Sequence, residues 1–212
     1  MFQKIIDVVN HEQGGMFFLY GYRGTGKTFM WTALSSAFRA EGKIVLTVAS
    51  SGIASLLLPG GRTTLSKFKI PIPTLEHSVY NITKGSELLD LMKLANLIIW
   101  DEAPMAHKYC FETLDRTLKD NMREKNKYDS VFDSKVVVFG GDFRQILHVI
   151  PRGSRSDIIH ATINSSYLWD HCHILNLKKN IQLLQDELYQ STIAEIEDFS
   201  SWIIKIGERW IS

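Results

Sequence analysis

The sequence has few of the residues that mark secreted or membrane-spanning proteins. Its two cysteines, Cys110 and Cys172, are far apart and form no disulfide framework, so we expect an intracellular chain. The longest apolar runs, such as residues 97–100, have the length of a strand and fall far short of the roughly 18 residues that cross a bilayer. With 14 glycines and 5 prolines, a collagen-like or low-complexity chain is excluded.

An excess of charge of either sign is also missing. The chain has 24 Lys plus Arg and 23 Asp plus Glu, a formal net charge of +1. Because so small a charge does not attract a polyanion from a distance, any contact with nucleic acid has to be made by a local basic patch. What is present is 212 residues, 45% of them hydrophobic, which predicts one large or two small globular domains with a substantial core.

Apolar runs alternate with amphipathic segments along most of the chain. The apolar runs predict buried strands at residues 16–20, 44–49, 97–100, 135–139 and 173–177. The amphipathic segments predict helices near residues 2–10, 27–40, 86–95, 106–120, 156–170 and 186–206. A stretch rich in Gly, Pro and Ser covers residues 50–73, and the polar residues 121–134 predict a surface loop. This alternation indicates an α/β fold whose mainly parallel sheet is covered on both faces.

The clearest motif is GYRGTGKT at residues 21–28, directly after a predicted strand and at the start of a predicted helix. It fits the phosphate-loop pattern G-x-x-x-x-G-K-[ST]. Glycines let backbone N–H groups turn toward phosphates, and the helix N-terminus adds positive potential. Lys27 can then reach the terminal phosphates while Thr28 ligates Mg²⁺. The alternative is a chance glycine turn.

A second motif lies at the end of the strand predicted at residues 97–100. The next two residues, Asp101 and Glu102, resemble a Walker B element. Ligands of open α/β sheets bind at the carboxyl ends of the strands, so Asp101 can hold Mg²⁺ while Glu102 polarises the attacking water. The alternative is that the two carboxylates cap the helix that follows.

A third strand, at residues 135–139, runs into Gly140-Gly141-Asp142 and then Gln145. Gln145 can touch both the γ-phosphate and the attacking water, so that loss of the phosphate moves this segment. The alternative is a glycine turn with an Asx-type hydrogen bond from Asp142.

A family resemblance is carried by the segments GYRGTGKT, TVASSGIASLLLPGGRTT, LIIWDEAPM, VVVFGGDFRQIL, ATINSSYLW and LKKNIQLL. The series resembles the Pif-one family of superfamily-one 5′-to-3′ DNA helicases, especially its plant chromosomal and Helitron-associated forms. The resemblance implies a RecA-like P-loop NTPase lobe over residues 1–177, with residues 178–212 leading toward a second lobe. It implies ATP and Mg²⁺ as cofactors, single-stranded DNA as partner, a monomer, and a role in DNA repair, recombination and telomere maintenance in the nucleus or mitochondrion.

The resemblance also implies roles for individual residues. The nucleotide loop consists of Gly21, Gly24, Thr25, Gly26, Lys27 and Thr28. Asp101 and Glu102 match the Mg²⁺ and water-activating carboxylates, and Gln145 matches the γ-phosphate sensor. Contacts to single-stranded DNA are expected at Ser51, Gly52, Arg62, Thr63, Lys67 and Phe68. Hydroxyl and basic groups there suit phosphates and Phe68 suits base stacking, but the alternative is a flexible loop with a buried phenylalanine.

Three positions depart from the family pattern. Leu65 replaces a histidine, His148 replaces a proline, and Gln182 replaces an arginine that contacts the γ-phosphate. An arginine in that role is worth about 10³ to 10⁵ in rate, so the third departure outweighs the other two. A helicase that hydrolyses ATP is the leading hypothesis, and a chain that binds nucleotide or DNA without unwinding is the alternative. A GTPase is disfavoured because the sequence has no DxxG switch and because Asp101-Glu102-Ala103-Pro104 points to ATP.

Overall fold

The computed structural model describes residues 1–83, 85–122, 130–144, 150 and 153–179. Helices and strands follow one another in the order α1 (Phe2–Asn10), β1 (Gly15–Tyr20), α2 (Lys27–Ala40), β2 (Val45–Ala49), α3 (Gly52–Leu56), β3 (Arg62–Thr63), α4 (Thr64–Phe68), α5 (Glu87–Leu94), β4 (Leu97–Asp101), α6 (Lys108–Met122), β5 (Val136–Gly141), α7 (Arg155–His160) and β6 (Cys172–Asn176). Short 3₁₀ turns lie at Ala103–Met105, Val131–Ser134, Ile163–Ser165 and Tyr167–His171. None of the helices in this part of the chain is long and apolar enough to cross a membrane.

The six strands form one sheet in the order β3-β2-β4-β5-β1-β6. Every pairing in it is parallel. Strands β2, β4 and β5 are buried along their whole length, which agrees with their composition of mostly Val, Ile, Leu and aromatic residues. The predicted parallel α/β sheet is therefore confirmed. All five predicted strands are found, and the sixth, β3, has only two residues and so leaves no periodic signal in the sequence.

Helices cover both faces of the sheet and create two hydrophobic cores. On one face α1 and α2 pack on the strands through residues that include Ile5, Trp31 and Phe38. On the other face the core is filled from α5 and α6, with Met92 and Phe111 among the buried side chains. Because successive strand residues point to opposite faces, neighbours within one strand take part in different cores.

The stretch 50–73 contains more regular structure than its composition suggests. It holds α3, β3 and α4, and each of the two helices starts at a side-chain cap. Ser51 Oγ accepts a hydrogen bond from Ala54 N at 3.1 Å, and Thr63 Oγ1 accepts one from Ser66 N at 3.4 Å. Ser and Thr are preferred at this position because their oxygens satisfy N–H groups that the helix leaves unpaired.

Other boundaries differ from the prediction or lie beyond the described residues. The helix expected at 156–170 is broken, since α7 ends at His160 and two 3₁₀ turns follow. Of the predicted loop 121–134, residues 121 and 122 belong to α6 and residues 131–134 form a 3₁₀ turn. The helix expected at 186–206 and most of the segment 178–212 lie outside the described residues.

Candidate nucleotide site

The carboxyl ends of β1, β4 and β5 lie side by side at one edge of the sheet. Strand β5 pairs with β1 on one side and with β4 on the other, so the three ends are neighbours. The segments 21–28, 101–102 and 140–142 follow or end these three strands. The tertiary structure thus brings together the three motifs that the sequence shows separately, at the edge where α/β proteins bind ligands.

The phosphate-loop segment depends on glycine at several positions. Gly24 and Gly26 have φ angles of 85° and 88°, which non-glycine residues rarely adopt. A Cβ at Gly21 would overlap the hydroxyl oxygen of Thr25. That hydroxyl is buried and donates to the carbonyl oxygen of Tyr22 at 2.7 Å, which closes the turn. The loop backbone therefore approaches the start of α2 more closely than side chains would permit.

The start of α2 suits an anion. Gly26 precedes the helix without a capping side chain, and the first turn carries no acidic residue. The N–H groups that open the 14-residue helix α2 therefore have no side-chain acceptor there, and the helix dipole adds positive potential at the same point. Thr28 is exposed in this first turn, where its hydroxyl is accessible to a ligand.

Lys27 lies between the loop and the carboxylates. Its ammonium group donates to the carbonyl oxygens of Gly21 at 2.5 Å and Tyr22 at 3.5 Å. Its positive charge also lowers the pKa values of both Asp101 and Glu102. Lys27 thus contacts the phosphate loop and acts electrostatically on the end of β4. A cation between these two segments is placed to bind the terminal phosphates of a nucleotide.

Asp101 is buried and incompletely paired. Burial raises the pKa of its carboxyl group, while the Glu102 backbone, the Trp31 indole N–H and Lys27 act in the opposite direction. The indole N–H is near enough to the carboxyl group to lower its pKa, but the two groups form no hydrogen bond. Both Trp31 Nε1 and Asp101 Oδ1 lack a partner within the described part of the chain. A buried carboxylate oxygen without a donor fits a divalent cation such as Mg²⁺, which Asp101 would hold together with Thr28.

Glu102 has an unusual backbone conformation. Its φ and ψ angles of 51° and 41° are left-handed, which costs a non-glycine residue about 1 kcal/mol or more. Burial raises the pKa of its carboxyl group, the charges of Asp101 and Asp142 raise it further, and Lys27 lowers it. Glu102 precedes the 3₁₀ turn Ala103–Met105 but its side chain makes no cap hydrogen bond. The alternative of an acidic N-cap is therefore not supported for Glu102, and a raised pKa suits proton transfer.

A buried carboxylate, Asp142, directly follows β5. Asp142 is buried and its Oδ1 accepts a hydrogen bond from Arg144 N at 3.0 Å, which is the Asx-type turn considered as the alternative. The predicted γ-phosphate sensor Gln145 lies outside the described residues and stays a prediction.

Trp31 is a site residue that the sequence motifs do not reveal. Its ring is fully buried, and a Cβ at Gly140 would overlap the ring and lie 3.1 Å from Asp101 Oδ1. The indole therefore joins α2, β4 and β5 beside the phosphate loop. The one available signal in the sequence is its position one helical turn after Lys27.

We expect Gly140→Ala to destabilise the protein by about 1–3 kcal/mol, because the added methyl group overlaps the rigid Trp31 ring. Gly52→Ala is the matched control, since open space surrounds that position and alanine favours the first turn of α3. Urea unfolding of the two variants measures the difference. Equal stabilities would contradict the close packing of Trp31 on β5.

The predicted DNA-contact residues lie after β2 and in β3 and α4, toward the same edge of the sheet. Ser51 and Thr63 cap α3 and α4, and Gly52 is exposed. Burial lowers the pKa of Lys67, and the positive charge of the exposed Arg62 lowers it further. The two side chains therefore form a local basic pair on a chain with almost no net charge.

Phe68 is placed differently from the prediction. Its side chain has no exposed surface, and its ring lies 6.0 Å from that of Tyr80 and 6.1 Å from that of Trp100. The prediction that Phe68 offers a platform for base stacking is therefore wrong. The alternative was a flexible loop with a buried phenylalanine, and of this the burial is correct, whereas the residue ends helix α4 and does not lie in a loop. The ring is buried because α4 packs its apolar side on the sheet core.

A parallel sheet with a phosphate loop after β1 and carboxylates at the end of β4 defines a RecA-like P-loop NTPase fold. The family model described as PIF1-like helicase matches residues 1–212. The chain belongs to the PIF1-like helicase family.

Several characterised proteins resemble the chain. An ATP-dependent DNA helicase Pif1 from Campylobacter jejuni is 27% identical over 186 residues, which cover 84% of this chain and 38% of that protein. An ATP-dependent DNA helicase PIF1 from Trypanosoma brucei brucei is 30% identical over 161 residues, covering 76% and 15%. The crystal structure of Pif1 helicase from Bacteroides in complex with ADP-AlF3 and ssDNA has a TM-score of 0.68 at 24% identity, covering 87% of this chain and 44% of that one. The chain thus spans less than half the length of these relatives.

Proposed function

We propose that this chain is the nucleotide-binding lobe of an ATP-dependent DNA helicase that moves 5′ to 3′ on single-stranded DNA. The observation that carries the proposal is that Lys27, at the start of α2, lies near Asp101 and Glu102, at the end of β4, so that the lysine charge acts on both carboxyl groups. Membership of the PIF1-like helicase family supports the same function. Roles in DNA repair, recombination and telomere maintenance, action as a monomer, and a nuclear or mitochondrial location are part of the proposal by resemblance.

Each group in the site has a separate task in this proposal. Lys27 and the N–H groups at the start of α2 bind the β- and γ-phosphates of ATP. Asp101 and Thr28 hold Mg²⁺, which when bound neutralises charge on the phosphates. Glu102 orients the attacking water and accepts its proton, for which its raised pKa is suited.

Single-stranded DNA is the proposed partner of the segments that follow β2 and β3. The exposed backbone at Gly52 and the basic pair of Arg62 and Lys67 suit phosphate contacts, which need no particular base sequence. The Bacteroides relative was crystallised with ssDNA, which supports this choice of partner. Because the net charge is only +1, we expect the affinity to depend on this local pair.

A second candidate is that the 212-residue chain on its own binds nucleotide and DNA but does not unwind duplexes. This candidate is favoured because the chain matches only 38% of the length of the Campylobacter helicase. Helicases of this type are expected to convert hydrolysis into movement when two lobes close on ATP and grip the strand alternately.

The test is a strand-displacement assay with a 5′-tailed duplex, together with ATP hydrolysis measured with and without single-stranded DNA. We expect the isolated chain to bind Mg-ATP at micromolar or weaker affinity and to leave the duplex paired. Stimulation of hydrolysis by single strands would support the helicase proposal. Nucleotide binding without turnover would favour the second candidate, and a clear preference for GTP would contradict both.

A further inference from the structure

Ser50 connects the end of β4 with the first predicted DNA segment. Its backbone N–H donates to the carbonyl oxygen of Asp101 at 3.1 Å. Its hydroxyl oxygen accepts a hydrogen bond from the indole N–H of Trp100 at 2.8 Å. The next residue, Ser51, caps α3 with its own hydroxyl. Ser50 therefore binds two consecutive residues of β4 and directly precedes the segment Ser51-Gly52.

Trp100 extends this connection to the second predicted DNA segment. Its side chain has no exposed surface and lies on the opposite face of β4 from Asp101. The ring of Phe68, the last residue of α4, packs 6.1 Å from it. At the other end of α4, the hydroxyl of Thr64 donates to the carbonyl oxygen of Ala49 at 3.4 Å. Both predicted DNA segments are thus attached to the strand that ends in Asp101.

We propose that Ser50 is a positioning residue that couples nucleotide binding at Asp101 to the affinity of the segments 51–52 and 62–67 for single-stranded DNA. This inference rests on the proposed function. Asp101 and Ser50 share a backbone hydrogen bond, so a shift of the strand end on nucleotide binding moves Ser50 directly. The hydrogen bond from the Trp100 indole holds the Ser50 side chain to β4, so that Ser50 follows a movement of this strand.

The physical requirement for such coupling is a contact that responds to both ligands. Close packing around the indole, with Phe111 at 4.6 Å and Phe139 at 5.8 Å between ring centroids, leaves Trp100 little room to move independently of β4. Ser50 is only partly buried, so in the contact between the two residues Ser50 has more freedom to move than Trp100. Removing the Ser50 hydroxyl should weaken the attachment of the loop to the strand, leaving the backbone bond to Asp101, without opening a cavity in the core.

The test measures the affinity of the 212-residue chain for a fluorescent oligothymidine by anisotropy, with and without Mg-ADP. Coupled sites commonly change each other's affinity about 5- to 150-fold, and we expect a ratio in this range for the unmodified chain. Ser50→Ala keeps the backbone bond to Asp101 and loses the bond from Trp100, so we expect this ratio to fall by about 2- to 10-fold, as for the loss of one hydrogen bond, while the affinity for Mg-ADP alone stays unchanged. Ser50→Thr keeps the hydroxyl and should keep the ratio.

The control is Ser36→Ala, an exposed serine in the second half of α2 that lies outside both segments, and this variant should keep the ratio. A purely structural role for Ser50 would lower the folded fraction and weaken both titrations equally, which leaves the ratio unchanged. An unaltered ratio in Ser50→Ala, or binding of both ligands without coupling in the unmodified chain, would overturn this inference alone. Failure of the unmodified chain to bind Mg-ADP or oligothymidine would overturn the proposed function, and this inference with it.

Hydrogen exchange provides a second measurement that does not need DNA. Mg-ADP should slow amide exchange in residues 21–28 of every variant, and in residues 50–56 more strongly where position 50 carries a hydroxyl. Protection of residues 21–28 without protection of residues 50–56 in the unmodified chain would contradict the role of Ser50 while supporting the nucleotide site.

Discussion

Lys27→Ala is expected to weaken the binding of Mg-ATP by about 10- to 150-fold, the equivalent of losing a charged hydrogen-bond donor worth about 1.5–3 kcal/mol. The lysine is the cation that both contacts the phosphate loop and acts on the pKa values of Asp101 and Glu102. Its removal leaves the γ-phosphate beside two carboxyl groups without the charge that offsets them. Titration of a fluorescent ATP analogue measures the change.

Lys178→Ala is the matched control for this prediction. Lys178 is exposed and lies close to the same loop, because its backbone oxygen accepts a hydrogen bond from the Tyr22 hydroxyl at 3.3 Å. The alanine variant keeps that backbone contact and removes only the side-chain charge. Equal losses of affinity in the two variants would mean that general charge and not the phosphate loop binds the nucleotide. Thermal unfolding of both variants separates a loss of binding from a loss of fold.

Glu102→Gln is expected to lower the rate of ATP hydrolysis by about 10²- to 10⁴-fold, the usual contribution of a general base, with little change in nucleotide affinity. Glutamine keeps the size of the side chain but accepts no proton at neutral pH. The left-handed backbone at position 102 holds the side chain beside Asp101 and Asp142, where burial raises its pKa. Single-turnover hydrolysis and equilibrium binding measured on the same preparation distinguish the two effects.

Asp101→Ala provides the comparison within the same pair of carboxylates. Its Oδ1 is buried without a donor in the described part of the chain, so we expect this variant to lose the Mg²⁺ dependence of nucleotide affinity. A reversal, with binding abolished in Glu102→Gln and preserved in Asp101→Ala, would exchange the roles assigned to the two residues.

The end of β4 contains several features that each lower the stability of the fold. Asp101 is buried and the adjacent Glu102 is half-buried, burial raises the pKa of both carboxyl groups, and Glu102 adds backbone strain. Each of these costs stability, and strain of this kind persists where the surrounding structure imposes it. Here the surrounding structure includes the Trp31 ring beside Gly140 and the hydrogen bond between Ser50 and Asp101.

The sequence by itself determined the elements whose signals are local. Helix α2 is found at Lys27–Ala40 as predicted, since a glycine-rich turn precedes it and Gly42 follows. The buried strands were predictable because residues covered on both faces form short continuous apolar runs. The phosphate loop and the pair Asp101-Glu102 were recognisable because their chemistry depends on neighbouring residues at fixed spacing.

Only the tertiary structure decided which residues from distant parts of the chain meet. The strand order, with β5 between β1 and β4, brings the three motifs to one edge of the sheet. The burial of Phe68, the position of Trp31 beside Asp101, and the bond from Trp100 to Ser50 depend on contacts between separate elements. Spacing along the sequence specifies none of these contacts, because packing of the whole sheet and its helices selects the side chains that become neighbours.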